Sequence, residues 1–275
     1  MRVLFIGDIV GQPGVELVRR AVPFLRQRES LDLVVANAEN ASNGSGMLPS
    51  VFRKLRAAGV NAFTMGDHIY KKGELISILE SESIICKPAN YPPTAPGRTF
   101  VQVTSESGHT LTVISVMGRT FMRAVDCPFA AVERVLAEAG VGKGHCVLVD
   151  VHAEATADKY LVGHFLDGRV SAVLGTHTHV PTADEQILPN GTAFQCDVGM
   201  TGPYHSIIGR DIDRVLQSTI HFTPVPFDVA SGDIRLGGVI VDIQPTTGRA
   251  TGIRRICLRE RELAVDGASL GESMT

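Results

Sequence analysis

Two histidines stand two positions apart in "GTHTHVPT" (Gly175–Thr182), directly after the apolar run "VSAVL". On an extended chain, residues two apart project to one side, so the spacing predicts that His177 and His179 converge on one point. Neutral imidazole is the commonest protein ligand for transition metals. A lone histidine pair at a strand end is more often solvated or hydrogen-bonded, so the reading depends on what occupies equivalent places. Asp8 follows "RVLFI", Glu39 and Asn40 follow "LVVAN", Asp67 and His68 follow "VNAFTMG", and His152 follows "CVLVDV". Ligands of open α/β sheets collect beyond the carboxyl ends of the strands. Five apolar runs here end in oxygen or nitrogen donors.

Taken singly, each residue has a plainer reading. Asp8 could cap a helix, and His68 could be a surface-loop residue. Asn37 and Asn43 in "NAENASNG" read as turn residues. His109, His145, His164 and His221 lack a strand-end carboxylate neighbour and read as structural or solvated. His205 in "MTGPYHS" is left open as a residue bordering the pocket. Gly7, Gly11 and Gly14 in "GDIVGQPG" have the wrong spacing for a dinucleotide-binding loop, and Asp8 would repel a pyrophosphate.

Three carboxylates and three histidines exceed the needs of one four-coordinate ion. Two ions sharing a bridging carboxylate use them naturally. Oxygen and imidazole ligation without thiolate suits iron, manganese or zinc. Two such ions ~3.5–4 Å apart form a clamp for in-line displacement at phosphorus, with bridging hydroxide as nucleophile.

Alternating elements must position these groups. "RVLFI", "LDLVVANAEN" and "VNAFTMGDH" read as strands. "PGVELVRRAVPFL", "LPSVFRKLRAAG" and "KGELISILESE" read as the helices between and after them, with Gly59 a C-cap candidate. "TFVQVTSESGHTLTVISVMG" predicts a hairpin. Then come a helix with Asp126 as N-cap candidate, a strand to His152, another helix and the strand before His177. "RLGGVIVDIQPTTGRATGIRRICLRE" predicts a closing hairpin. The pattern is α/β, a mixed sheet system with helices outside. It implies a single domain over residues 1–262, a small excursion at 203–233, and a flexible tail at 263–275.

Composition bounds the function classes. The chain has 275 residues, 44% of them hydrophobic, which suits a globular enzyme. A net charge of −3, from 26 basic and 29 acidic residues, leaves no extended nucleic-acid track. No stretch is long and apolar enough to span a bilayer, so no membrane partner is expected. The five cysteines are scattered without a CxxC pair, which predicts neither zinc-thiolate nor disulfide and reads as reducing cytoplasm. Self-association is left open.

Several stretches together resemble a known family: "GDIVG", "NAENAS", "GDH", "KPANYP", "GRTFM", "DVHAEATADK", "GTHTHVPTAD" and "DVGMTGPYHSIIG". The chain is similar to the YmdB-type metallophosphoesterases of the calcineurin-like superfamily. The resemblance implies a four-layer α/β/β/α sandwich of two mixed sheets. It also implies a dinuclear centre, often with iron, and phosphodiesterase activity that includes cyclic nucleotides, 2′,3′ or 3′,5′. Carried over by motif, Asp8, Glu39, Asn40 and His179 hold one metal. Glu39 bridges to a second, completed by Asp67, His152 and His177, while His68 stands outside as general acid. The family has asparagine where this chain has Asp67, "GNH" against "GDH". That departure bears on the charge of the site and its preferred metal.

The expected function is therefore hydrolysis of small phosphodiesters. His68 would protonate an alkoxide leaving group, a contribution of ~10²–10⁴-fold. Two other readings use the same residues. A metal-dependent amidohydrolase also carries HxH, but normally after its first strand, where this chain has Asp8. A weakly catalytic, metal-dependent nucleotide-binding regulator would bind without efficient turnover.

Overall fold

The computed structural model describes residues 1–142 and 144–263. The expected tail at 263–275 lies, beyond its first residue, outside the described residues. In chain order the first half comprises β1 (Arg2–Ile6), β2 (Asp8–Ile9), α1 (Gly11–Glu29), β3 (Leu33–Asn37), α2 (Pro49–Ala57), β4 (Ala62–Thr64), α3 (Leu75–Ser81), β5 (Ile85–Cys86), β6 (Phe100–Thr104) and β7 (Thr110–Met117). There follow α4 (Pro128–Glu138), β8 (Cys146–His152), α5 (Thr156–Phe165), β9 (Ala172–Thr176), β10 (Gln186–Ile187), β11 (Ala193–Gln195), β12 (Met200–His205), α6 (Ile212–His221), β13 (Gly232–Gln244) and β14 (Arg249–Arg259).

Two mixed sheets result. The first runs β2-β12-β13-β1-β3-β4-β5, with β14 on the other edge of β13. The second runs β10-β11-β9-β8-β7-β6. Strands β1, β3, β4 and β5 are mutually parallel, as are β7, β8, β9 and β11. Parallel neighbours need crossovers, and helices supply them except between β9 and β11, which the loop carrying His177, His179 and β10 connects. Both expected hairpins form, β6 with β7 and β13 with β14.

The near-continuous apolar runs follow from burial on both faces. Along β1, Val3 and Phe5 point into a core shared with Val113, Leu148 and Leu174 of the second sheet. Leu4 and Ile6 point the other way, against Val15, Val18 and Val22 of α1. On the far side, Val147 and Val149 of β8 pack against Val132 of α4 and Val162 of α5. Strand period two thus sorts side chains into three cores between four layers, α/β/β/α. Among the described residues no helix is long and apolar enough to cross a membrane.

Local details differ from the sequence reading. The helix after Asp126 is capped by Cys127 with Pro128 in its first turn and no side-chain cap, because Asp126 lies one residue too early. Asn37 is no turn residue but the buried last residue of β3. In the 203–233 segment, α6 has no buried residue. Arg210 ties this segment to the loop after β3 by donating to the carbonyls of Asn43, Gly44 and Phe227.

Candidate metal centre

The parallel strands of both sheets end at one place. Asp8, Glu39, Asn40, Asp67 and His68 arrive from the first sheet, and His152, His177 and His179 from the second. Asp8, Glu39, Asn40 and His152 are buried. One atom each of Glu39, Asp67, His152 and His177 falls within 4.8 Å of the others. His152 Nε2 lies 3.1 Å from Glu39 Oε1, 3.2 Å from Asp67 Oδ1 and 3.1 Å from His177 Nδ1. A second group adjoins it. His179 Nε2 is 3.7 Å from Asp8 Oδ1 and 3.2 Å from Asn40 Nδ2, which is itself 3.3 Å from Glu39 Oε1. Glu39 therefore stands between the two groups.

His68 lies to one side. Its amide donates to Glu39 Oε2 at 2.9 Å, and its Nδ1 is 2.7 Å from Asn40 Oδ1. Nε2 faces Asp67 Oδ2 at 3.7 Å, with the side chain 29% exposed. His205 is exposed at the end of β12, opposite Gly232, and does not join this group.

The two histidines of "GTHTH" do converge on the centre, but not along an extended strand. His177 and His179 have φ of 94° and 65°, left-handed values that non-glycine residues rarely adopt. Buried Asp197, beyond β11, enforces the bend. Its Oδ2 accepts from the Thr178 amide at 3.2 Å and the Thr178 hydroxyl at 2.7 Å, and its Oδ1 from the Gly199 amide at 2.8 Å. Buried Lys159 of α5 neutralises Asp197 across 2.7 Å. No room exists for another side chain under the cluster: a Cβ on Gly66 would meet His152 Nε2 at 2.3 Å and Glu39 Oε2 at 2.5 Å.

Each converging imidazole is also held from outside. His152 Nδ1 lies 2.8 Å from Thr176 Oγ1, His179 Nδ1 lies 2.9 Å from the Ile208 carbonyl, and His177 Nε2 lies 3.3 Å from Glu154 Oε2. Buried Asp150 anchors the first of these, accepting from Thr176 at 2.7 Å, Thr64 at 2.6 Å and Asn37 at 3.1 Å. The sequence reading missed Asp150, Thr64, Thr176 and Glu154. A signal existed for Asp150, a carboxylate in an apolar strand two residues before a ligand candidate.

The electrostatics match a cation site. Among the described residues no lysine or arginine pairs with Asp8, Glu39 or Asp67. Burial opposes charge on Asp8, yet His179 and His152 hold its carboxyl well below the usual range. At Asp67 burial is likewise outweighed, by His152, His68 and His177. Burial also opposes charge on His152, but Glu39, Asp67 and Asp8 hold its proton well above the usual imidazole range. On His179, Asp8 overcomes burial in the same way. His177 is lowered, by burial and by His152. Burial pushes Asp150 up to about 6. A negative field that holds protons on buried imidazoles also holds a cation. Oxygen and nitrogen donors without a thiolate fit a divalent metal.

The family model for YmdB-like proteins matches residues 4–256. The chain belongs to the YmdB-like family. It thereby joins the calcineurin-like phosphoesterases, and the four-layer fold agrees. A 2′,3′-cyclic-nucleotide 2′-phosphodiesterase of Bacillus subtilis (strain 168) is 41% identical over 94% of this chain and 98% of its own. A hypothetical protein from Thermus thermophilus superposes with a TM-score of 0.88 at 45% identity, over 94% of this chain and all of that one. A novel phosphatase from Mycoplasma pneumoniae does so with a TM-score of 0.87 at 26% identity, over 96% of each chain.

Proposed function

We propose that the YmdB-like chain is a dinuclear phosphodiesterase acting on small phosphodiesters, 2′,3′- and 3′,5′-cyclic nucleotides foremost. The observation that carries the metal reading is the double tethering of His152, His177 and His179. Each turns one nitrogen to the carboxylates and has the other tied to an oxygen acceptor. Metal-ligating histidines are built in that way, because the outer hydrogen bond fixes tautomer and ring orientation. The arrangement of the donor atoms in two adjoining groups with Glu39 between them supports two ions. Asp8, Glu39, Asn40 and His179 would hold one, and Glu39, Asp67, His152 and His177 the other. Iron is the first choice by family, with manganese and zinc compatible with the same donors.

When bound, such ions supply Lewis acidity to phosphoryl oxygens and acidify a water. The protein's own residues do the rest. Thr176 donates its single proton to Asp150, so towards His152 it accepts, and the His152 proton sits on Nδ1. Nε2 is thereby freed for the centre. Asn40 directs Nδ2 at Asp8, Glu39 and His179 and Oδ1 at His68. Turning the amide by half a revolution exchanges these atoms in place, so that Oδ1 joins the donors and Nδ2 binds His68. His68 keeps Nε2 at the partly exposed edge, where it can protonate a leaving alkoxide. An unactivated alkoxide needs that proton, which suits a positioned acid.

The test is turnover with a metal count. Protein loaded with iron, manganese or zinc is incubated with 2′,3′- and 3′,5′-cyclic nucleotides, and product and bound metal are measured. Two ions per chain and chelator-sensitive hydrolysis are expected. Tight nucleotide binding without product would replace the enzyme by a regulator, and saturation at one ion would remove the dinuclear reading.

A further inference from the structure

The loop Gly118–Arg123 leaves β7 at the metal centre and supplies none of its donors. Met117 pairs with His152 across the sheet, and the Gly118 amide donates to the His152 carbonyl at 2.9 Å. Gly118 is required at this approach, since a Cβ would lie 2.4 Å from that of Ala153. The next turn is clamped by Asp158 in the first turn of α5. Its Oδ2 accepts from the amides of Arg119 at 2.8 Å and Thr120 at 2.9 Å, and its Oδ1 from the Thr120 hydroxyl at 3.1 Å. Met122 anchors the other side by packing on the core.

Between these anchors stands Phe121, 89% exposed and with φ of 60°. Two costs coincide there. The left-handed backbone disfavours any residue with a Cβ, and an exposed ring forgoes the stabilisation of burial. Glycine would relieve the first and a polar residue the second. The loop holds the ring outward, three residues along the chain from Gly118, whose amide donates to the His152 carbonyl. Three residues of chain put the Phe121 Cα at most ~11 Å from that of Gly118. Beyond the loop the chain returns to the end of β7, where Asn90 Nδ2 donates to the carbonyls of Met117 at 2.9 Å and Asp126 at 3.0 Å. Arg119 and Arg123, two residues before and after Phe121 in the chain, are exposed.

We infer that Phe121 is a stacking platform for the base of a nucleotide whose phosphate lies at the metal centre. This rests on the phosphodiesterase reading above and adds a specificity-determining residue to it. An aromatic face stacks on any base, so Phe121 selects for the presence of a base rather than its identity. Exposed guanidinium groups on the same loop favour an approaching anion. The ring thus distinguishes nucleoside phosphodiesters from base-free ones.

The test compares ligands with and without a base on metal-loaded protein. Calorimetry gives Kd for adenosine 3′-monophosphate and ribose 5-phosphate, and kinetics give KM and kcat for 2′,3′-cyclic AMP and glycerol 1,2-cyclic phosphate. Phe121→Ala should weaken adenosine 3′-monophosphate and raise KM for cyclic AMP about tenfold, with kcat little changed. The base-free pair should shift by less than about twofold, the ratio that a purely steric or charge effect would not produce. Phe121→Trp should restore nucleotide affinity. Equal shifts for both ligand classes, or none, would overturn the proposal. So would a change in oligomeric state by light scattering that accompanies an equal loss on both. If neither diester is hydrolysed, the phosphodiesterase reading fails, and calorimetry still decides the role of Phe121.

Discussion

His152 Nδ1 lies 2.8 Å from the Thr176 hydroxyl, which in turn donates to buried Asp150 at 2.7 Å. The chain of contacts fixes both the tautomer and the angle of an imidazole that faces Glu39, Asp67 and His177. Thr176→Val keeps the shape but removes the acceptor. It should lower metal affinity by ~10–100-fold, the usual cost of losing such an outer partner. Competition against a chelator measures this, and circular dichroism should show the fold unchanged. Undiminished affinity would mean that the tether does not orient His152.

His68 is held at Nδ1 by Asn40 and leaves Nε2 at the open edge. His68→Ala should retain bound metal while losing ~10²–10⁴-fold in rate on alkoxide-leaving substrates. The loss should shrink with nitrophenolate leaving groups, which depart without protonation. A similar loss on both would assign His68 to positioning rather than proton transfer.

Asp67 brings a negative charge where the asparagine implied by the family resemblance would bring none. Its Oδ1 sits 3.2 Å from His152 Nε2 and 3.6 Å from His177 Nδ1, so the charge lies inside the donor group. An anionic ligand holds metal more firmly but leaves less positive charge for a phosphodiester anion. Asp67→Asn should therefore raise turnover, by roughly tenfold or less, about 1.4 kcal/mol. Metal should be lost more readily to a chelator. Rates must be compared at equal metal content, and a fully loaded variant that is no faster would refute the charge argument.

Lys159 and Asp197 form a fully buried ion pair beneath the loop that carries His177 and His179. Lys159→Met would leave Asp197 uncompensated away from water. Breaking such a pair from one side costs ~3–5 kcal/mol, readable in urea unfolding. The left-handed loop should loosen as well, so metal retention should fall even where the variant is folded. A stable variant with normal metal retention would show that the Thr178 and Gly199 contacts suffice.

Much of the centre was legible because its donors punctuate apolar strands. Asp8, Glu39, Asp67, His152 and His177 are polar residues at the ends of runs whose burial on both faces admits few others. Layer order came only from family resemblance, since period two sorts side chains between faces without saying what covers each face. The bend at His177 and His179 was illegible for a different reason. It is imposed by Asp197, about twenty residues downstream, and no local rule assigns left-handed backbone to histidine. Asn37 was misread because asparagine near Glu39 and Asn40 looks like turn chemistry. Its partner, Asp150, lies more than a hundred residues away.

Asp8, Glu39, Asn40 and Asp67 come from one sheet, and His152, His177 and His179 from the other. A cation held by both sets, as proposed, would be a rivet through the seam between two slabs otherwise joined by oily side chains and by the bonds of Asp150 to Thr64 and Asn37. Prising the slabs apart would tear it from half its ligands, so loading and cohesion are one equilibrium. Bound metal should then raise the melting temperature in proportion to the logarithm of its free concentration. Slower amide exchange should appear along the carboxyl ends of β3 and β8 together, although the two strands share no backbone hydrogen bond. Chelation would in the same stroke silence the chemistry and let the halves breathe.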